Sequence, residues 1–184
     1  MTGRYASGKA TRLPSLFSRS PWISRSAAGS VTFHPPRVED VYALAADLRV
    51  EDVYELQASS RLTILQQIEH AVAVSMHPGA AFGPDGELLC LFGAAPIGLM
   101  DDIAAPWCLG TDHLFRFPQA LAKGAQRFFL QIGQQYPRLM NYVDARNTTS
   151  IAWLRRMGFE IDEPEPFGHL KMPFHRFHKD MRNV

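Results

Sequence analysis

The side chains able to move a proton gather where the apolar runs of this chain end. Asp101 and Asp102 precede the run Ile103 to Leu109, and Asp112 and His113 follow it. A carboxylate or imidazole at a strand end can act as general acid or base if a cleft holds it against a substrate, and is otherwise merely solvated. We take Asp112 and His113 as the catalytic candidates. Lys123 could attract a phosphate, although a surface lysine usually stays hydrated. Asn147, Thr148 and Thr149 offer side-chain oxygens to the unpaired N–H groups that open a helix. Trp107 and Trp153 read as core or interface anchors. Cys90 and Cys108, the two cysteines, lie in apolar surroundings and read as buried, reduced thiols. The seven histidines show no ligand-like spacing beyond His175 and His178, which have no nearby cysteine, so no metal is expected.

The elements that must position these groups follow from periodicity and turn chemistry. Ser30 to His34 is a short strand closed by Pro35 and Pro36. A near-duplication, RVEDVYAL at 37 to 44 and RVEDVYEL at 49 to 56, places two acids at each of two helix starts. The spacing predicts a helix over Val38 to Leu48, a second helical segment through Leu56, and an amphipathic helix over Arg61 to Ser75. Pro84-Asp85-Gly86 turns a hairpin between Ala80 to Phe82 and Leu88 to Phe92. Ile103 to Leu109 gives another strand despite Pro106. Pro118 opens a helix whose Leu121, Phe128, Phe129 and Ile132 share a face, and Pro137 closes it; Phe128, Phe129 and Ile132, with Ile151 and Leu154 further on, are expected to be buried. Then come a strand over Leu139 to Asp144, a helix with Ile151 and Leu154 inward, Gly158 as its stop, a strand beginning at Phe159 and a last one over His169 to Phe177.

The stretch NYVDARNTTSIAWLRRMGFEI, Asn141 to Ile161, resembles the end of the GNAT acyltransferase fold. The matching positions are Asn147, Ser150, Gly158 and Phe159. The resemblance implies an α/β fold: a GNAT-like mixed central sheet flanked by helices. It also implies a cofactor site for acetyl-CoA, to which Asn147 and Lys123 would contribute, and an acceptor site near Asp112 and His113. The family's tyrosine, often the acid for the departing thiolate, falls on Leu154, which has no proton to give. The family's Arg/Gln-x-x-Gly-x-Gly/Ala loop falls on Arg116 to Leu121, which holds no glycine and a proline that removes one N–H. A narrower resemblance, carried by ADLRVEDVYELQAS, PWCLGTDHL and NYVDARNTTSIAWLRRMGF, is to the GNAT-like proteins of short-tailed phages, some of them internal virion proteins.

Composition divides the chain at about residue 30. Residues 1 to 29 hold Arg4, Lys9, Arg12, Arg19 and Arg25 and no acid, while residues 30 to 184 carry 14 basic and 18 acidic side chains. That first segment cannot build a core of its own, and reads as an extended basic arm before a GNAT-like domain at 30–184. Its Arg12, Phe17, Arg19, Trp22, Ile23 and Arg25 combine apolar anchors with guanidinium groups, the make-up of a segment that folds onto a partner. Deleting Met1 to Ala28 is then expected to leave the domain folded. No run is apolar and long enough to span a bilayer. The resemblance and the arm together imply a structural protein of the phage particle. It would be made in the host cytoplasm, dock among other virion proteins and meet nucleic acid through its arm, with no cofactor. The alternative is an active acetyl-CoA-dependent N-acetyltransferase. A third reading takes the acid-free first segment as a cleaved organellar transit peptide.

Overall fold

The computed structural model of the chain describes residues 21–98 and 102–183. Eight strands form one sheet: β1 Trp22–Ser26, β2 Gly29–His34, β3 Met76–Phe82, β4 Leu88–Pro96, β5 Ile103–Gly110, β6 Arg138–Asp144, β7 Glu160–Phe167 and β8 Met172–Asp180. Their spatial order is β1-β2-β3-β4-β5-β6-β8-β7, antiparallel throughout except between β5 and β6. Five helices cover it: α1 Val38–Ala46, α2 Val50–Ser59, α3 Ile64–Val74, α4 Pro118–Gly133 and α5 Thr148–Arg156. A 3-10 turn, Asp112–Arg116, joins β5 to α4.

Two apolar layers follow from the alternation of the strands. On one face Phe128, Phe129 and Ile132 of α4 and Ile151 and Leu154 of α5 pack on Phe92, Leu139, Val143 and Phe177. Phe128, Phe129, Ile132, Ile151 and Leu154 are buried as predicted, while Leu121, on the same face of α4, is half-buried and lines the cavity. On the other face Val41, Leu44 and Ile68, from α1 and α3, pack on Ala80, Leu91 and Leu109. The hairpin turns at Gly86, whose φ of +81° suits glycine.

The boundary predicted near residue 30 moves. Trp22–Ser26 is a strand paired along its whole length with β2, so these residues are the edge of the sheet rather than an extended arm. Trp22 is buried and stacks on Phe33 with ring centroids 3.9 Å apart. α4 packs onto this stacked pair at Gly124, where a Cβ would come within 2.5 Å of the Phe33 ring. An aromatic residue among arginines pointed to a partner; a sheet edge and a glycine on the facing helix gave it a place in its own core.

Cys90 is buried as expected, but Cys108 is exposed. It stands on β5 opposite Phe92 of β4, past the point where β6 pairs, and lines the cavity that opens there. The two thiols meet, and that contact, with burial, raises the Cys90 thiol well above its usual range. Pro106 sits inside β5 opposite Ala94. Bonds from Ile97 N to Ile103 O and from Thr111 N to Leu89 O mark alternate residues of β5 as bonded to β4. Pro106 falls between them, so its missing N–H would have pointed toward β6 and costs the β4 ladder nothing.

Candidate active site

The parallel strands β5 and β6 pair only at Ile103 with Arg138 and Ala104 with Leu139. Beyond that they diverge, and the sheet opens into a cleft. Asn141 Nδ2 donates to Pro106 O at 3.0 Å across its narrow end. A cavity of about 570 Å³ fills the opening and is lined from both faces of the sheet. Ser59, Gln67 and His70 reach it from α2 and α3; Leu121, Phe128 and Trp153 reach it from α4 and α5. Trp107 and Trp153 both line it, so they border the site as well as the core.

At the wide end a polar network ties α2, β5, β6 and α5 together. Arg49 donates through Nε and Nη2 to Asp52 at 2.8 and 2.6 Å, and through Nη2 to Ser150 Oγ at 2.8 Å. Asp52 also accepts from Gly110 N at 2.9 Å, and Arg49 N donates to Gly110 O at 3.0 Å. Both ions are buried, with side-chain exposures of 6% and 3%. Such a pair is tolerable because both Asp52 oxygens accept hydrogen bonds and the guanidinium donates through Nε and twice through Nη2.

Glu55, one turn further along α2, lines the cavity with its carboxylate turned inward. Its Oε2 accepts from Asp144 N at 3.1 Å and from Asn147 Nδ2 at 3.3 Å. Burial raises its pKa to about 7, more strongly than these two bonds and the nearby charges adjust it. A carboxyl poised near neutrality inside a cleft is the chemistry expected of a general base. Sequence reasoning missed Glu55 because it sits mid-helix among ordinary surface acids. The only signal was its place in the second RVEDVYEL copy, where the first copy has an alanine.

Asn147 is 2% exposed and lines the cavity. It caps α5, accepting from Ser150 N at 3.2 Å, while its amide holds Glu55. Asp112 and His113 are exposed on the 3-10 turn and do not line the cavity. Lys123 is exposed on α4 and donates to Arg25 O at 3.0 Å, which ties β1 to α4. Asp102 pairs with Arg138 at the surface, and Asp101 lies outside the described residues. Among the partner-binding candidates, Ile23 and Arg25 are exposed on the edge strand and Trp22 is buried; Arg12, Phe17 and Arg19 lie outside the described residues.

No protein-family model and no curated protein sequence matches the chain. Solved structures do. RimJ of Mycobacterium smegmatis, in complex with CoA-disulfide, matches with a TM-score of 0.62 at 19% identity, over 89% of this chain and 88% of that one. Spermidine N-acetyltransferase of Vibrio cholerae, in complex with CoA and spermine, matches with 0.62 at 8% identity, over 83% and 96%. A GCN5-related N-acetyltransferase of Brucella melitensis matches with 0.63 at 13% identity, over 88% and 79%. The fold is that of the GNAT N-acetyltransferases. At these identities the likeness concerns the fold, and the chemistry must be judged from the residues.

The residues divide the fit to coenzyme A in two. By the alternation along β5, the peptide N–H and C=O of Cys108 point into the cleft, where β6 no longer pairs. An amide-bearing pantetheine arm could bond there beside apolar walls. Among the described residues the diphosphate half finds no cradle at the start of α4. The segment from Thr111 to Phe117 has no glycine, and α4 opens with Pro118, which lacks an N–H. Gly124, the first glycine after it, is taken up by the contact with Phe33 and Trp22. Coenzyme A as a whole therefore does not match this site.

Proposed function

We propose that the protein transfers an acyl group to an amine, with the two substrates meeting in the cleft between β5 and β6. The observation that carries this reading is Glu55, a carboxyl brought to about pKa 7 by burial and held by Asp144 N–H and Asn147 inside a cavity open to both faces of the sheet. In its ionised form it takes the proton of an attacking amine. Leu154 stands where an acid for the leaving group is usual, so the departing group must be a good leaving group, as a thiolate is. The test is amine acylation from a small acetyl thioester, followed against pH. The rate is expected to rise through about pH 7 and to fall by about 100-fold or more in Glu55→Gln. Equal rates in the two proteins would remove Glu55 from the chemistry.

A second reading keeps the fold and drops the chemistry: a structural protein of a phage particle, docking among other virion proteins through its basic first segment, with nucleic acid as a further contact. The absence of a diphosphate cradle and the leucine at 154 favour it. Its test is incorporation into particles of a chain lacking residues 1 to 20. Normal incorporation would end it.

A further inference from the structure

The helices on the two faces of the sheet carry opposite charge. On one face, α1 holds Glu39 and Asp40, α2 holds Glu51, Asp52 and Glu55, and α3 holds Glu69; none of the three contains lysine or arginine. On the other, α4 holds Lys123 and Arg127 and α5 holds Arg155 and Arg156, and neither contains an acid. Arg155 and Arg156 are exposed and have no ion-pair partner among the described residues. At the rim of the cavity on the approach to α4 stands Phe115, 46% exposed, and next to it the exposed Arg116.

Resting on the acyl-transfer reading, we propose that the acyl donor is a thioester on the phosphopantetheine arm of an acidic carrier protein. The carrier seats on the basic face formed by α4 and α5 and passes its arm into the cleft. Three observations converge on that partner. The open peptide edge at Cys108 and the apolar cavity suit the arm. The proline-headed α4 and its glycine-free approach suit no diphosphate. The acid-free helices, with Phe115 exposed at the rim, suit an acidic protein surface that brings an arm bearing a single phosphodiester. Chemically, the amine nitrogen bonds to the acyl carbon, the carbon–sulfur bond breaks, the amine proton passes to the Glu55 carboxylate, and the thiolate leaves on the carrier and is protonated by water.

The experiment is binding of the full chain to three donors: an acetyl-loaded acyl carrier protein, acetyl-pantetheine and acetyl-CoA. The carrier is expected to bind about tenfold or more tighter than acetyl-CoA, and to weaken about tenfold as salt is raised. Arg155→Glu combined with Arg156→Glu should weaken the carrier by about tenfold or more and leave acetyl-pantetheine unchanged, which also shows that the variant is folded. Acetyl-CoA binding more tightly than acetyl-pantetheine would mean that its nucleotide half is recognised, and the carrier would be overturned while acyl transfer stands. Binding of acetyl-pantetheine without the carrier has the same consequence. If none of the three binds, both the carrier and acyl transfer are overturned.

Discussion

Glu55 concentrates the consequences of the fold in one side chain. Its folded pKa, about 7, lies above the ordinary 4.5, so the folded state holds a proton that the unfolded chain has already lost between those values. Stability from this group is complete below about pH 4.5 and falls as pH rises toward 7, by up to about 3 kcal/mol. Glu55→Gln should flatten that slope, which urea midpoints at pH 5 and pH 8 will read. A wild-type midpoint unchanged across the window would mean that the carboxylate is better solvated than its surroundings indicate. Leu154, buried beside the cavity where a tyrosine would serve as acid, is packing. Leu154→Ala should cost about 2–5 kcal/mol in the same measurement, whereas a change within about 0.5 kcal/mol would be that of a surface site.

The duplicated RVEDVY segments show how alike two elements can be in sequence and how unlike in use. In the first copy Asp40 turns back to accept from its own Arg37 N at 2.8 Å, a local cap on α1. In the second, Asp52 pairs with the Arg49 side chain and with Gly110 N, so α2 clamps the end of β5 and, through Ser150, the start of α5. Removing one buried partner strands the other charge. Asp52→Ala should therefore destabilise by about 3–5 kcal/mol, and pairing Arg49→Met with Asp52→Leu should recover most of the loss. Thermal or urea unfolding of wild type, Asp52→Ala, the single variants Arg49→Met and Asp52→Leu, and their double variant checks it; an additive double variant would mean the pair is not coupled. Because the clamp holds the wide end of the cleft, Asp52→Ala should also weaken thioester binding.

At the scale of the molecule, the first strand among the described residues starts at Trp22, which sharpens where the chain can be cut. A protein starting at Gly29 loses β1 and the Trp22–Phe33 stack, and should lose about 3–5 kcal/mol or more relative to one starting at Pro21. Equal urea midpoints for the two would place Trp22 outside the core. Much of this architecture was legible in the residues. The Pro-Asp-Gly turn, Pro118 at a helix start, Asn147 as a cap and Gly158 as a stop are local devices, each acting within a few residues, and each stands where the sequence puts it. Periodicity likewise marked Phe128, Phe129, Ile132, Ile151 and Leu154 as core, since a helix face is fixed by spacing alone. Of the site, Asn147 was named from the sequence and lines the cavity, while its neighbour Glu55 was not legible. Asp112 and His113 have the chemistry but stand outside the cavity, because a strand end says nothing about which side of the sheet will open. The Glu55 carboxyl acquired its raised pKa only when α2 laid it against Asp144 and Asn147, about 90 residues away along the chain. Its proton affinity comes from burial, and burial belongs to the tertiary structure: no local pattern distinguishes a solvated helix glutamate from one enclosed by strands that the rest of the chain has yet to supply.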